Sequence, residues 1–288
     1  MSRQASSVSG KPYGLAAVCR VWQLARSGVY RHRTPAPPRL LHRRGPAGPM
    51  PDAALLEAIR AVLAASPFHG EGHRKVWARL RISGIRTSLR RVLRLMRENG
   101  LLAPSRVGAP RGPRNHDGTI IPETVDTMWG TDLTTTITGE GQVAVFIAVD
   151  HCSAKCVGIH AARRATRQAV RHHFGAFSKD IASGLAVRHD HGSQYMSEAF
   201  QSELAFLGVE SSPAFVRAPE GNGCAERFIR TLKENLLWVR TFDTVEQLRQ
   251  ALLDFRQTYN TTWLIQRHRF RPPSAIRQDQ LSPAAIAA

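Results

Sequence analysis

LAVRHDHGSQYMSEAFQSELAFLGVESSPAFVRAPEGNGCAERFIRTLKENLLWVR, residues 185–240, decides the fold. It opens with a short apolar run, Leu185 to Val187, that leads to Asp190, and Gly192 and Ser193 then open a turn. A strand here leaves Asp190 at the carboxyl edge of a sheet. An amphipathic segment capped by Ser197 follows, then a second short run at 209–213 and a Pro/Gly-rich loop. Gly221, Asn222 and Gly223 lead into a helix with apolar Phe228, Ile229, Leu232, Leu236 and Leu237, and Glu226 stands near its start. Glu226, Arg230 and Lys233 fall at i, i+4 and i+7, so one acid and two cations share the face opposite the apolar stripe. Two carboxylates are thereby delivered to element ends, where a metal site wants them.

Thirty-five residues separate Asp190 from Glu226, and an upstream acid, Asp132, stands in MWGTDLTT. Taken singly, each acid is ordinary: a solvated turn Asp, or a helix N-terminal Glu favoured by the macrodipole. Taken together, WGTDLT at 129–134, FIAVDHCSAKCVG at 146–158, HDHGSQYMSEAF at 189–200 and the stretch from Ala218 to Leu237 resemble a DDE transposase of the retroviral-integrase superfamily. Specifically, the chain resembles the catalytic subunit of bacterial insertion sequences mobilised through an excised circle. The resemblance covers about residues 51–280 and is strongest over 128–240. The sequence departs from many relatives near its end, where YNTTWLIQRHRFRPP stands in place of an RPH-type motif.

The resemblance implies a ribonuclease H-like α/β fold, a mixed five-stranded sheet with flanking helices, preceded by a small all-α helix-turn-helix domain. It places the acidic triad, catalytic and metal-ligating, on Asp132, Asp190 and Glu226, with a cofactor of two Mg²⁺ (or Mn²⁺) ions. The implied activity is metal-dependent DNA strand cleavage and strand transfer at the element's terminal repeats, with insertion into target DNA. The implied partners are double-stranded DNA, further copies of the chain in a synaptic homo-oligomer, and an upstream frame joined by translational frameshifting. A catalytically inactive DNA-binding regulator derived from a transposase is the alternative reading, and a nuclease that only cleaves is a third.

Charge agrees with a nucleic-acid partner. The 288 residues carry a formal charge of +18, which points to a polyanion. Residues 1–126 hold 22 Lys and Arg against 7 Asp and Glu, whereas residues 127–288 hold 18 against 15. The front half is therefore expected to grip DNA and the back half to act on it. No apolar run approaches eighteen residues, no secretory leader is legible, and four scattered cysteines suit a reducing cytoplasm, so the expected location is cytoplasmic and nucleoid-associated, away from membranes. Cys152 and Cys156 with His151 and His160 invite a zinc reading. Strand alternation turns Cys156 and its neighbours to opposite faces, and a small buried hydrophobe describes Cys156 better.

Along the chain, residues 1–50 read as a basic lead, with a short helix over 15–26 and a Pro-rich linker from 34. Residues 51–102 read as a helix-turn-helix domain of three helices: one from Asp52, which is a plausible cap; one over GHRKVWARLRISG; and TSLRRVLRLMRENG, with Leu89, Val92, Leu93 and Met96 inward and Gly100 as its stop. Arg86, Arg90, Arg91, Arg94 and Arg97 lie outside that stripe and, with Arg230 and Lys233, are the expected DNA contacts. Residues 103–125 read as a linker, and 126–280 as the catalytic core. Within the core, three antiparallel strands turning at 138–141 precede a helix over 164–180, and helix and strand then alternate. RHRFRPPSAIR is expected to run out along the surface.

Overall fold

The computed structural model describes residues 4–33, 50–104, 120–163, 183–214 and 222–282, and the chain divides into two compact units at the 49/50 boundary. The first unit holds α1 (Leu15–Val21) and α2 (Arg26–Arg33) around buried Cys19. The single helix expected over 15–26 is broken because Gln23 turns left-handed at φ 49°, and Leu24 N–H returns to the Cys19 carbonyl to close the end. The linker expected from 34 lies almost wholly outside the described residues, as do most of the linker from 103 and the helix over 164–180.

The second unit begins with α3 (Asp52–Ala65), α4 (His73–Ile82) and α5 (Leu89–Glu98), packed around Leu55, Ile59, Val76, Leu80, Val92, Leu95 and Met96. Ser88 caps α5 by accepting from Arg91 N–H, and Gly100 ends it at φ +66°, a conformation that glycine adopts without a Cβ penalty. Two expectations need correction. Pro51, not Asp52, occupies the cap position of α3, and α5 buries Leu95 where Leu89 and Leu93 were expected. Both follow from one contact: Asp52 accepts from Arg91 Nε at 2.7 Å and from Arg94 Nη2 at 2.6 Å, which turns that side of α5 toward α3.

A five-stranded sheet follows, in the order β3-β2-β1-β4-β5. Its strands are β1 (Met128–Thr138), β2 (Gly141–Asp150), β3 (Cys156–Ala162), β4 (Ala186–His189) and β5 (Glu210–Pro213). β1, β2 and β3 pair antiparallel, while β4 joins β1 and β5 joins β4 in parallel. Residues Val143 to Asp150 of β2 are buried without a break, as a strand covered on both faces demands. On one face lie α7 (Gly223–Leu232) and α8 (Val245–Thr262), which bring Phe228, Leu232, Leu248, Leu252 and Phe255 onto β2. Leu185, Val187, Tyr195, Phe200, Leu204 and Leu207 form a second cluster with α6 (Glu198–Leu207), which Ser197 caps.

The helix expected over 224–240 ends as an α-helix at Leu232 and continues as a π turn, Lys233–Leu237, in which Trp238 N–H reaches the Lys233 carbonyl. The wider turn buries Leu236 and Leu237 together. RHRFRPPSAIR does not run out along the surface. Ile265 bridges Arg271, and α9 (Pro273–Leu281) starts at a proline, buries Pro273 and Ile276, and pairs Arg277 with Asp126. Among the described residues no helix is long and apolar enough to cross a membrane.

The helical segment is not merely tethered to the sheet. Phe68, between α3 and α4, is 3% exposed inside the core beneath the sheet, edge-on to Phe255 and Trp263. His69 N–H donates to Asn235 Oδ1 at 2.7 Å, and Arg79, paired with buried Glu71, also reaches the Thr262 carbonyl. Phe68→Ala is expected to destabilise the second unit by about 3–5 kcal/mol, read as a lower urea midpoint in a transition common to the helical segment and the sheet. Two separate transitions, with the sheet's unchanged, would contradict a shared core.

Candidate active site

The pairing of β1 with β4 brings the first two acids together. Trp129 is in register with Val187 and Gly130 with Arg188, so two further residues set Asp190, just past the end of β4, beside Asp132 in mid-β1. Asp132 is half-buried and opposite Ile147 on its other neighbour. Burial pushes its carboxyl up to about 6; a bond from Leu133 N–H and the charge of Lys233 oppose the rise, and the negative charge of Asp190 adds to it. Asp190 is exposed and shaped by a local turn in which Gly192 N–H donates to its Oδ1 at 2.8 Å.

His189 supports Asp190 from behind. It is buried, its Nδ1 lies 2.7 Å from the Asp190 carbonyl and its Nε2 2.9 Å from Ser211 Oγ. A carbonyl only accepts, so Nδ1 carries the proton and Nε2 takes the serine hydroxyl. Burial lowers the pKa of this imidazole, and a neutral ring suits both bonds. Tyr195 stacks on it, its phenol raised by burial and then by the charge of Asp132.

Glu226 stands in the first turn of α7, exposed, between buried Ala225 and Phe228. Among the described residues no group of three or more His, Cys, Asp or Glu is close enough to hold a metal ion. The structure thus joins Asp132 to Asp190 and leaves Glu226 on the adjoining helix. Lys233 opens the π turn, half-buried, with its charge felt at Asp132, while Arg230 pairs with Glu234 at 2.9 Å.

The five arginines of the helical segment divide. Arg86, Arg90 and Arg97 are exposed. Arg91 is held by Asp52 and the Met50 carbonyl, and Arg94 by Asp52 and Glu98, so these two also fasten α5 to α3. Cys156 is 1% exposed with its thiol raised to about 12 by burial, and Asn260 holds its backbone on both sides. Three residues that the sequence did not place beside Asp132 meet there: Gly130, His151 and Asn222. Asn222 read as a loop or helix-start residue, yet its amide donates to the Thr131 carbonyl, next to Asp132.

Residues 122–219 and 207–268 match the integrase core domain family, and residues 51–108 match an HTH-like domain family. The chain is similar to the transposase for insertion sequence element IS904 of Lactococcus lactis, 31% identical over 240 residues that span 77% of this chain and 92% of the relative. It is also similar to the Escherichia coli transposase InsD for insertion element IS2, 28% identical over 210 residues, and spans 65% of that protein's length with 65% of its own. Among solved structures, the catalytic core domain of HTLV-2 integrase in complex with magnesium aligns with a TM-score of 0.40 at 16% identity, over 55% of this chain and 99% of that one.

The Asp132 carboxyl carries a stability signature. Its folded value, about 6, lies above the ordinary 3.8, so the folded state holds this proton more tightly than the unfolded state does. The group favours folding fully below about pH 4 and loses that contribution as the pH rises through 6. Asp132→Asn is expected to exceed the parent in stability by about 2 kcal/mol at pH 8, allowing for solvent access, and to match it below pH 4. Urea titrations at the two pH values check this.

Proposed function

Because this chain belongs to the insertion-sequence transposases with an integrase core and a helix-turn-helix-like segment, we propose that Asp132, Asp190 and Glu226 are its catalytic triad. In this reading they cut DNA at the ends of an insertion sequence and join the freed 3′-OH to target DNA. The observation that carries the proposal is the meeting of Asp132, in the middle of β1, with Asp190, just past the end of the parallel β4, the half-buried Asp132 carboxyl being raised by its surroundings. Carboxyl groups gathered with an unfavourable charge fit a divalent cation, and their hard oxygens suit Mg²⁺ or Mn²⁺. Two such ions, when bound, would activate the attacking oxygen and stabilise the leaving oxygen of an in-line displacement.

The remaining roles belong to the protein's own groups. Asp132, from the centre of the sheet, with Asp190 and Glu226 would hold the ions. Gly192 N–H holds the Asp190 carboxylate in its turn, and neutral His189 fixes the backbone beneath it. Lys233, whose charge already acts on Asp132, would receive the phosphate beside the acids. Arg86, Arg90 and Arg97 lie free of acidic partners in the described contacts of α5 and would follow the phosphate backbone, with residues 51–102 as the end-binding domain and 126–280 as the catalytic core. Joining exchanges one phosphodiester for another, so it needs no nucleotide cofactor. Two ends must be held at once, which calls for a homo-oligomer. An upstream frame fused by frameshifting would add a further DNA-binding segment.

The test uses labelled DNA carrying the ends of the element that encodes the protein, with Mg²⁺ or Mn²⁺. Glu226→Gln and Asp190→Asn are each expected to lower cleavage and joining by about 10³-fold or more, since each removes several kcal/mol of transition-state stabilisation. Activity equal to the parent would remove the residue from the site, and DNA binding without chemistry in the parent would favour the inactive regulator. In anisotropy titrations across salt, Arg90→Ala and Arg97→Ala should each reduce the slope of log K against log salt by about one. Arg91→Ala should chiefly lower thermal stability by removing one of the two arginines that hold Asp52.

A further inference from the structure

We propose that Asn222 is a positioning residue for the active site, fixing the start of α7, and with it Glu226, against the strand that carries Asp132. The inference rests on the triad reading above. Asn222 holds the cap position of α7 but gives no side-chain bond to the helix it precedes. Its Nδ2 donates instead to the Thr131 carbonyl at 2.9 Å, across a separation of 91 residues. The residue is 5% exposed, and its Oδ1 finds no donor among the described residues.

His151 is the second part of the device. Its Nδ1 lies 2.8 Å from the Ile120 carbonyl, which fixes the proton on that nitrogen, and burial favours the neutral ring. Nε2 is then a bare lone pair, also without a partner among the described residues. The two acceptors converge on one point: a Cβ at Gly130 would lie 2.5 Å from Asn222 Oδ1 and 2.5 Å from His151 Nε2. Only a Cα hydrogen fits between them, a weak donor to both.

The placement explains why this arrangement is kept. Gly130 and Asp132 are two apart on β1 and share a face, so Asn222 lies over the backbone immediately before Asp132. Glu226 follows four residues later, about one helical turn along α7. The Asn222 amide is a rigid brace between the two carboxylate-bearing elements. It has to donate to a carbonyl without carrying charge into a wall that already holds two acids. A carboxylate of the same shape cannot donate, and a hydroxyl is too short to span the gap. The arrangement spends a helix cap and leaves two buried acceptors unpaired, the kind of local compromise found where function dictates position.

Calorimetric titration of the DNA-free protein with Mn²⁺, together with kcat and KM for joining of precut end DNA, tests the brace in the parent, Asn222→Ala, Asn222→Ser and Glu226→Gln. Both Asn222 variants are expected to keep a cooperative metal-free melt, to bind Mn²⁺ about 10-fold more weakly, and to lose about 10- to 100-fold in kcat at unchanged KM for DNA. If the alanine variant does not melt cooperatively, the serine variant, which keeps a polar group in the pocket, decides. Parent-like Mn²⁺ affinity and kcat in the Asn222 variants, with Glu226→Gln impaired, would overturn the brace and leave the triad standing. A raised KM with Mn²⁺ binding intact would also overturn it, by making Asn222 a DNA contact. A parent-like Glu226→Gln would sink the triad reading itself, and the brace with it.

Discussion

Parallel pairing of a short strand beside a long central one is the constraint from which the site follows. β1 is held on one side by the antiparallel β2 over nearly its whole length and on the other by β4 over three residues. Two acids on adjacent strands, Asp132 in mid-β1 and Asp190 just past β4, repel each other, and a flexible backbone would let them separate. Here β1 is stitched residue by residue to β2, which is buried from Val143 to Asp150, and that holds Asp132 in place. Burial raises the Asp132 carboxyl first, and the charge of Asp190 beside it adds to the rise.

What could be read from the sequence was whatever depends on near neighbours. The strand ending at Asp190, the Ser197 cap, the two-residue turn between β1 and β2 and the Gly100 stop all rest on contacts a few residues apart. Partner choice across the fold was not legible. Nothing local tells Arg91 and Arg94 that Asp52 will lie against them, although an outward-facing arginine row and a clamp have the same spacing on a helix. RHRFRPP looks like a solvated tail because its anchors are distant in sequence: Arg267 and His268 bond to the carbonyls of His151 and Cys152, and Pro273 and Ile276 are buried at the start of α9.

The same division runs through the site. Asp132 and Asp190 sit in strand patterns whose pairing can be inferred, and the structure unites them. Glu226 could be assigned to a helix, but where that helix starts in space depends on Asn222, which a sequence reader takes for an ordinary loop residue. Gly130 hides for the opposite reason: a glycine in a strand looks like a weakness, and its purpose is visible only when the two atoms that exclude a Cβ are in view.

The seating of Phe68 in the catalytic core changes what kind of instrument the molecule is. Two modules on a slack tether sample a range of separations, and a cut would then scatter around the bound sequence by the tether's reach. With an aromatic ring, a backbone bond from His69 and the Arg79 contact all crossing between the helices and the sheet, there is no slack to sample. The second unit is a caliper rather than a leash: in the proposed reading, the spacing between DNA held by α5 and DNA held at the acids would follow from core packing.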